Sequence, residues 1–326
     1  MIALSLLSLL RQETMKDRIV ACIDMGTTRT RVWITRDGQV LGSTARDFGA
    51  RDTAKQGKAW LSQQLVELLS GIDAPRPHFA IAAGMITSSN GLVEVPHIAA
   101  PAGPREIAHG MYMGELNGLP LLLVPGVKYG RLCEEDGDIM RGEEVLCVGL
   151  SLAGLFTAGA WVVTLGSHWK WIQIDEDRQI ISSSTSIAGE LIHVAQCETL
   201  LAASLPQQRP TQFDEKWLRK GMITSRNHSV GHSLFRVRLL DLSGSTTATE
   251  RISFFYGVLI QNELKDALER WRKDSRPVWV SGNPALTSVW KSILDENGVQ
   301  TAVLAEHTRE ACYLRGLEYL ASLRSA

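Results

Sequence analysis

Long charged runs of one sign are missing from this chain of 326 residues, in which 34 lysines and arginines meet 35 aspartates and glutamates and leave a net charge of -1. Without a basic stripe there is no electrostatic footprint for nucleic acid or an anionic membrane, and neither is expected as a partner. Cysteine is sparse too. Cys22, Cys133, Cys147, Cys197 and Cys312 are odd in number, scattered and never at CxxC spacing. That argues against a disulfide framework or a structural zinc site and fits a reducing cytoplasm. Nor does the opening stretch supply a membrane span: Met1 to Leu10 is apolar, but it is short and lacks a positive leading region. Residues 1–17 are read as an N-terminal extension, with Met15 a candidate alternative start, and stay outside the fold. What is present is an ordinary globular composition, 44% apolar, on a chain long enough for two domains with separate cores. Small-molecule chemistry is the function class this favours.

Arg18 to Asp24 reads as a buried strand, Thr30 to Thr35 as a second and Gln39 to Arg46 as a third, with Arg36-Asp37-Gly38 as the hairpin turn between the last two. Periodicity then predicts helix at Trp60 to Leu69, strand at His78 to Ala83, helix at Arg105 to Leu116 and strand at Pro120 to Pro125. The second half repeats the order, with strands at Gly159 to Leu165, Trp169 to Asp175 and Gln179 to Ser183 around a turn at Asp175 to Arg178. Helices follow at Gly189 to Leu201 and Ile252 to Trp271, then strand Pro277 to Ser281, helix Pro284 to Asn297, strand Val299 to Leu304 and helix Thr308 to Leu323. One continuous doubly wound sheet is the alternative, but a meander opening each half argues against it. Two copies of a three-strand meander leading into α/β crossovers resemble the actin, hexokinase and sugar kinase superfamily. The resemblance implies an α/β fold of two actin-like, ribonuclease H-like domains with a nucleotide cleft between them. The first domain is expected over 18–150, on the sugar side with the first phosphate loop, and the second over 151–326, with the second phosphate loop and the adenosine site.

The sharpest local signal is Asp24-Met25-Gly26-Thr27-Thr28-Arg29, at the hairpin between the first two strands. A carboxylate at a strand end can hold a hydrated magnesium ion, Gly26 lets backbone approach phosphate, and the hydroxyls of Thr27 and Thr28 can donate to its oxygens. A polar turn satisfying its own backbone needs only the glycine and one threonine. In the second half the matching hairpin is Leu165-Gly166-Ser167-His168, so that two loops would take the phosphates of one nucleotide. His168 is either a phosphate neighbour or a hydrogen-bonded structural histidine. Met140-Arg141-Gly142-Glu143-Glu144 precedes an apolar segment, Val145 to Leu150, expected to form the interdomain helix. Sugar kinases bring a carboxylate to the cleft there to take the proton of the attacking hydroxyl, and Glu143 matches it, unless both glutamates only stabilise a helix N-terminus. Near the end, Gly282-Asn283 joins a strand to a helix where adenine, ribose or phosphate could meet backbone groups, although a plain connection would look similar.

Several segments are similar to the 2-dehydro-3-deoxygalactonokinase family: Ile23 to Thr28, Ala83-Gly84-Met85-Ile86, Gly91 to Pro96, Val124-Pro125-Gly126, Met140 to Glu144, Ala188 to Leu191 and Gly282 to Leu286. They follow the family order from about Ile19 to the C-terminus. The resemblance implies transfer of the ATP γ-phosphate, with Mg2+, to the 6-hydroxyl of 2-dehydro-3-deoxy-D-galactonate in galactonate catabolism. It assigns Glu143 and Asp24 to catalysis, Asp24 to the metal, and Gly26, Thr27, Thr28, Gly166, Ser167, His168, Gly282 and Asn283 to the nucleotide. Met85, Ser88, Glu94, Arg141, Gly189 and Glu190 fall to the sugar acid, and a homodimer is compatible with it. Three segments depart from the family pattern: Met25 stands for Trp, Ser167 and Trp169 for Thr and Ser in the second loop, and Ser89 or Asn90 for an Arg that could grip a carboxylate. Trp169 beside a phosphate loop must pack its ring somewhere and could narrow the cleft. A kinase for a related keto-deoxy sugar acid, a degenerate binding regulator without turnover, and an ATP hydrolase on the same fold are the alternatives.

Overall fold

The computed structural model describes residues 17–156 and 158–325, so all of the expected N-terminal extension except Asp17 lies outside the described residues. Chain contacts divide the protein into two compact units. One comprises the described residues up to Gly159, Ile172–Ser184 and the chain from Glu306 on; the other comprises Ala160–Trp171 and Thr185–Ala305. The chain thus leaves the first unit at Gly159, but two later segments return to it.

The first unit opens on β1 (Ile19–Met25), β2 (Thr30–Arg36) and β3 (Gln39–Arg46), followed by α1 (Ala50–Gln56), α2 (Lys58–Ser70) and β4 (Phe79–Gly84). Residues 19–23 of β1 are all buried, as a strand covered on both faces requires. β1 pairs antiparallel with β2 and parallel with β4. β3 is mostly exposed and forms the sheet edge, and Asp37 and Gly38, at φ 49° and 77°, make the tight turn into it. Next come β5 (Ile98–Ala99), α3 (Pro104–His109), β6 (Tyr112–Leu116), β7 (Leu119–Leu123), β8 (Val127–Tyr129), β9 (Asp138–Met140) and α4 (Glu143–Leu152). The helix expected over Arg105 to Leu116 therefore ends at His109, and its second half is a strand. The physical reason is Asn117-Gly118, both at positive φ (49° and 79°), which turns β6 back onto β7 as a hairpin. The small sheet of β5, β8 and β9 and the helix α1 have no counterpart in the sequence expectation.

The second sheet carries β10 (Ala160–Leu165), β11 (Trp169–Ile174) and β12 (Ile180–Ser186). α5 (Ala188–Glu198), α6 (Glu215–Asn227), α7 (Val230–Leu242) and α8 (Ala248–Lys273) follow, then β13 (Val278–Gly282), α9 (Pro284–Glu296), β14 (Thr301–Val303) and α10 (Glu306–Ser325). Helices α6 and α7 are likewise additions to the expected set. The strand order β3-β2-β1-β4-β7 in the first sheet is repeated as β12-β11-β10-β13-β14 in the second, so the duplication suspected from sequence is present in the topology. The second core is built on tryptophans: Trp169 and Trp171 both meet the fully buried Trp290 edge-on, at ring centroid distances of 5.7 and 6.1 Å. No helix among the described residues is long and apolar enough to cross a membrane.

In each unit one helix pair packs backbone to backbone. In the first, a Cβ on Gly149 of α4 would lie 1.7 Å from the Cys312 carbonyl oxygen of α10, and one on Gly316 would lie 2.3 Å from that of Val145. In the second, Gly221 of α6 and Gly257 of α8 each leave 2.0 Å to the facing carbonyls of Phe254 and Leu218. Helices normally keep their distance through the side chains at the contact; here there are none. Gly149→Ala is expected to destabilise the protein by about 3 kcal/mol or more, since neither backbone can yield locally. Gly231→Ala in α7, where a Cβ meets nothing within 4 Å, should be neutral or gain about 0.5–1 kcal/mol. Denaturant melts of both variants check this, and equal midpoints would show that the crossing is not a steric limit.

Candidate active site

The carboxyl ends of β1 and β4 lie side by side, with Asp24 registered against Ala83 and Met25 against Gly84. The turn after β1 is closed by the Gly26 amide donating to the Arg29 carbonyl at 2.8 Å, while Thr27 is half-buried and Thr28 exposed. Its outward carbonyls are also taken: Gly26 accepts from the Ala50 amide at 3.2 Å and Thr27 from Arg51 at 3.1 Å. That contact needs Gly49, because a Cβ there would sit 2.4 to 2.6 Å from Gly26 and Thr27. Gly84, at φ 86°, lies against the Met25 carbonyl, and Gly142, at φ 103°, against Gly84.

Asp24 keeps 28% of its side-chain surface, with Oδ2 3.9 Å from Arg31 and Oδ1 accepting from the Tyr313 hydroxyl at 3.2 Å. Burial pushes its carboxyl above the ordinary range; Arg31, Arg309 and Tyr313 oppose this, and the nearby Glu143 adds to it. Glu143 and Glu144 form the first turn of α4. Glu144 is fully buried and accepts the Gly142 amide at 2.8 Å on both oxygens. Burial first, and Glu143 second, push its carboxyl up to about 8. Glu143 points elsewhere: its Oε2 is buried and has no hydrogen-bond partner among the described residues. A buried carboxylate oxygen without a donor is costly, which makes Glu143 a candidate functional group.

Arg141 ties this corner to the segment that follows β4. It donates to Thr87 Oγ1 and to the Val95 carbonyl, each at 2.8 Å, and lies 3.3 Å from His97 Nδ1. Ser88 is buried and bonds the Met85 carbonyl at 2.8 Å, and Glu94 is exposed beside Arg141. An Arg is absent at 88–90, but Arg141 brings a guanidinium to that same segment. Asp24, Gly26, Thr27, Thr28, Met85, Ser88, Glu94, Arg141 and Glu143 are thus gathered in the first unit.

In the second unit, Gly189 packs on the loop after β10: a Cβ would lie 2.1 Å from the Gly166 carbonyl oxygen and 2.6 Å from that of Ser167. The Glu190 amide donates to Ser167 at 2.9 Å, and the Glu190 carboxylate lies 3.3 Å from His168 Nε2. Gly189 and Glu190 therefore support the second loop as Gly49 and Ala50 support the first, in a unit other than that of Met85, Ser88, Glu94 and Arg141. The Asn283 side chain accepts from the amides of Ala285 and Leu286 at 3.0 and 3.3 Å, capping α9, and Gly282 passes close to Leu165. The Trp169 ring is only 2% exposed and packs into the core rather than out beside the loop. Gly49 and Tyr313 escaped the sequence reading, and Gly84 entered it only within the Ala83-Gly84-Met85-Ile86 segment. Among the described residues no group of three His, Cys, Asp or Glu side chains is placed to hold a metal by itself.

The family model for 2-keto-3-deoxy-galactonokinase matches residues 24–319. A solved structure from Sinorhizobium meliloti, assigned as a 2-dehydro-3-deoxygalactonokinase, superposes with a TM-score of 0.76 at 24% identity, covering 91% of this chain and 94% of that one. At that identity the likeness is one of fold, and the fold is the two-domain actin-like α/β fold. Component A of (R)-2-hydroxyglutaryl-CoA dehydratase from Acidaminococcus fermentans gives a TM-score of 0.48 at 11% identity, covering 95% of this chain and 100% of that one. A protein from Porphyromonas gingivalis assigned as an N-acetylglucosamine kinase gives 0.47 at 16%, covering 92% and 98%. These weaker likenesses decide nothing about this chain. No curated protein sequence matches it.

The Glu144 carboxyl carries a stability signature. Its value is raised from an ordinary 4.5 to about 8, so between those pH values the unfolded chain releases a proton that the folded chain holds. Stability contributed by the neutral acid is fully present below about pH 4.5 and lost as pH rises through about 8. Glu144→Gln, neutral throughout, should flatten that part of the fall in melting temperature from pH 5 to 8. Parallel melting curves for the two proteins across this range would refute the buried neutral acid.

Proposed function

Because the chain belongs to the 2-keto-3-deoxy-galactonokinase family, a family of sugar acid kinases, we propose that it transfers the ATP γ-phosphoryl group to the 6-hydroxyl of 2-dehydro-3-deoxy-D-galactonate. The observation that carries the proposal is the Glu143 carboxylate, with a buried, partnerless oxygen, close enough to Asp24 to raise its carboxyl. Glu143 takes the hydroxyl proton as the sugar oxygen attacks the γ-phosphorus, and ADP departs with the bridging oxygen. Glu144 holds the Gly142 amide and with it the first turn of α4.

Asp24 fits a magnesium ion, since this hard cation is commonly held by one or two carboxylates, water and substrate phosphates, and the Asp24 carboxylate is still partly exposed and only loosely paired with Arg31. Bound magnesium would neutralise charge on the phosphate oxygens. Gly26, Thr27 and Thr28, and Gly166, Ser167 and His168, offer each unit a turn whose carbonyls are already fixed by the next helix. Arg141 and the segment around Glu94 are assigned to the sugar acid. The Asn283 oxygen is occupied by its cap, so contact with nucleotide there falls to the Asn283 side-chain amide NH2 and the Gly282 backbone. Gly189 and Glu190, which shape the second loop, are also assigned to the sugar acid. A related keto-deoxy acid is a second reading, favoured by Ser89 and Asn90 where the family resemblance leads to an arginine. Five free thiols are in keeping with a cytoplasmic enzyme.

A coupled ADP-release assay across a panel of keto-deoxy sugar acids, with ATP and magnesium, tests the reading. ADP should appear only with a sugar acid; phosphate released at the same rate without one would replace the kinase by a hydrolase. Glu143→Gln should lose about 10² to 10⁴ in kcat while both substrates still bind, and Glu144→Gln should stay within about tenfold of the parent. Equal losses in the two would remove Glu143 from the role of base.

A further inference from the structure

We infer that Tyr313 is a positioning residue for Asp24: its hydroxyl, carried on the last helix, fixes one carboxylate oxygen and leaves the other for the cation that accompanies the nucleotide. The hydroxyl donates to Asp24 Oδ1 at 3.2 Å, and Oδ2 lies 3.9 Å from Arg31, its direct neighbour across the β1–β2 pairing. The two oxygens therefore have distinct surroundings, which a carboxylate at a loose strand end lacks. Tyr313 is itself buried, and its ring lies 6.5 Å from that of Trp33 at 45°. One helical turn earlier, Arg309 adds positive charge toward the same carboxylate. Three residues later, Gly316 presses α10 onto α4 at Val145, so the hydroxyl is held by the same crossing that holds the first turn of α4.

The inference uses the kinase reading only for what Asp24 does, and its test does not need turnover. Tyr313→Phe removes one oxygen and keeps the ring. Full-length parent and variant are titrated calorimetrically with ATP in the presence of Mn2+ as the probe cation, and with ATP in a chelator. Loss of a hydrogen bond to a charged group predicts about a tenfold weaker affinity with the cation and a change below about twofold without it. In an Asp24→Ala background the same substitution should add less than about twofold, since its partner is gone. Where turnover is measurable, KM for MgATP rises and KM for the sugar acid does not. Equal losses with and without the cation, a joint rise in both KM values, or an undiminished effect in the Asp24→Ala background would each overturn the inference. If the parent turns over no sugar acid, the kinase reading fails, yet the calorimetric cycle still reports whether Tyr313 acts through Asp24.

Discussion

Two helices that touch through their backbones hold the first unit together. At Gly149 and Gly316 there is no room for a single carbon between α4 and α10, so neither helix can slide or rotate without a clash. α4 begins with Glu143 and Glu144, and α10 carries Tyr313 against Asp24 and Glu318 against the buried Thr35, whose hydroxyl donates to it at 2.5 Å. One steric limit thereby sets the relation between an orphan carboxylate, a neutral buried acid and the carboxylate at the end of β1. Packed contacts of this kind have discrete arrangements and resist continuous deformation, which suits the proton-acceptor role proposed for Glu143.

The two loops show the same device built with different side chains. In each, a glycine near the start of the following helix lets helix amides reach the carbonyls of the turn: Ala50 and Arg51 in the first unit, Glu190 in the second. Backbone hydrogen bonds shape the turns, so Ser167 can stand where the family pattern has threonine without altering the loop. Trp169 is accommodated for a related reason. Strand alternation sends its ring to the core, against Trp290, and the loop is left as it was.

Much of this was legible in the amino-acid order because it is local. Continuous burial in β1, the Asp37-Gly38 turn and the repeated meander all leave short-range patterns, and so does the glutamate pair before an apolar helix. Where sequence and structure part, the causes are equally physical. Arg105 to Leu116 looked helical because its apolar spacing outweighed Asn117-Gly118, a two-residue hairpin signal that turns the second half into a strand. Helix α6 is an amphipathic segment rich in charge, whereas α7 has no clear apolar face in its sequence, and both find their place by packing against α8. Gly49 carries no local mark and Gly189 is marked only by the family resemblance, since each is required by a carbonyl from a different part of the chain. Tyr313 lies 289 residues from the carboxylate it touches, and no spacing rule spans that distance.

That distance has a consequence for how the protein is made. Synthesis proceeds from the N-terminus, and contacts between distant segments form only when both exist. The first unit, begun with β1, needs the chain from Glu306 on before it is complete, whereas the continuous stretch Thr185–Ala305 of the second unit has left the ribosome by then. During most of translation β1, β2 and α4 therefore lack the helix that covers Cys22, Thr35 and Val145. A deletion of even the last two turns of α10 would be felt first at the opposite end of the sequence, where Glu318 meets Thr35.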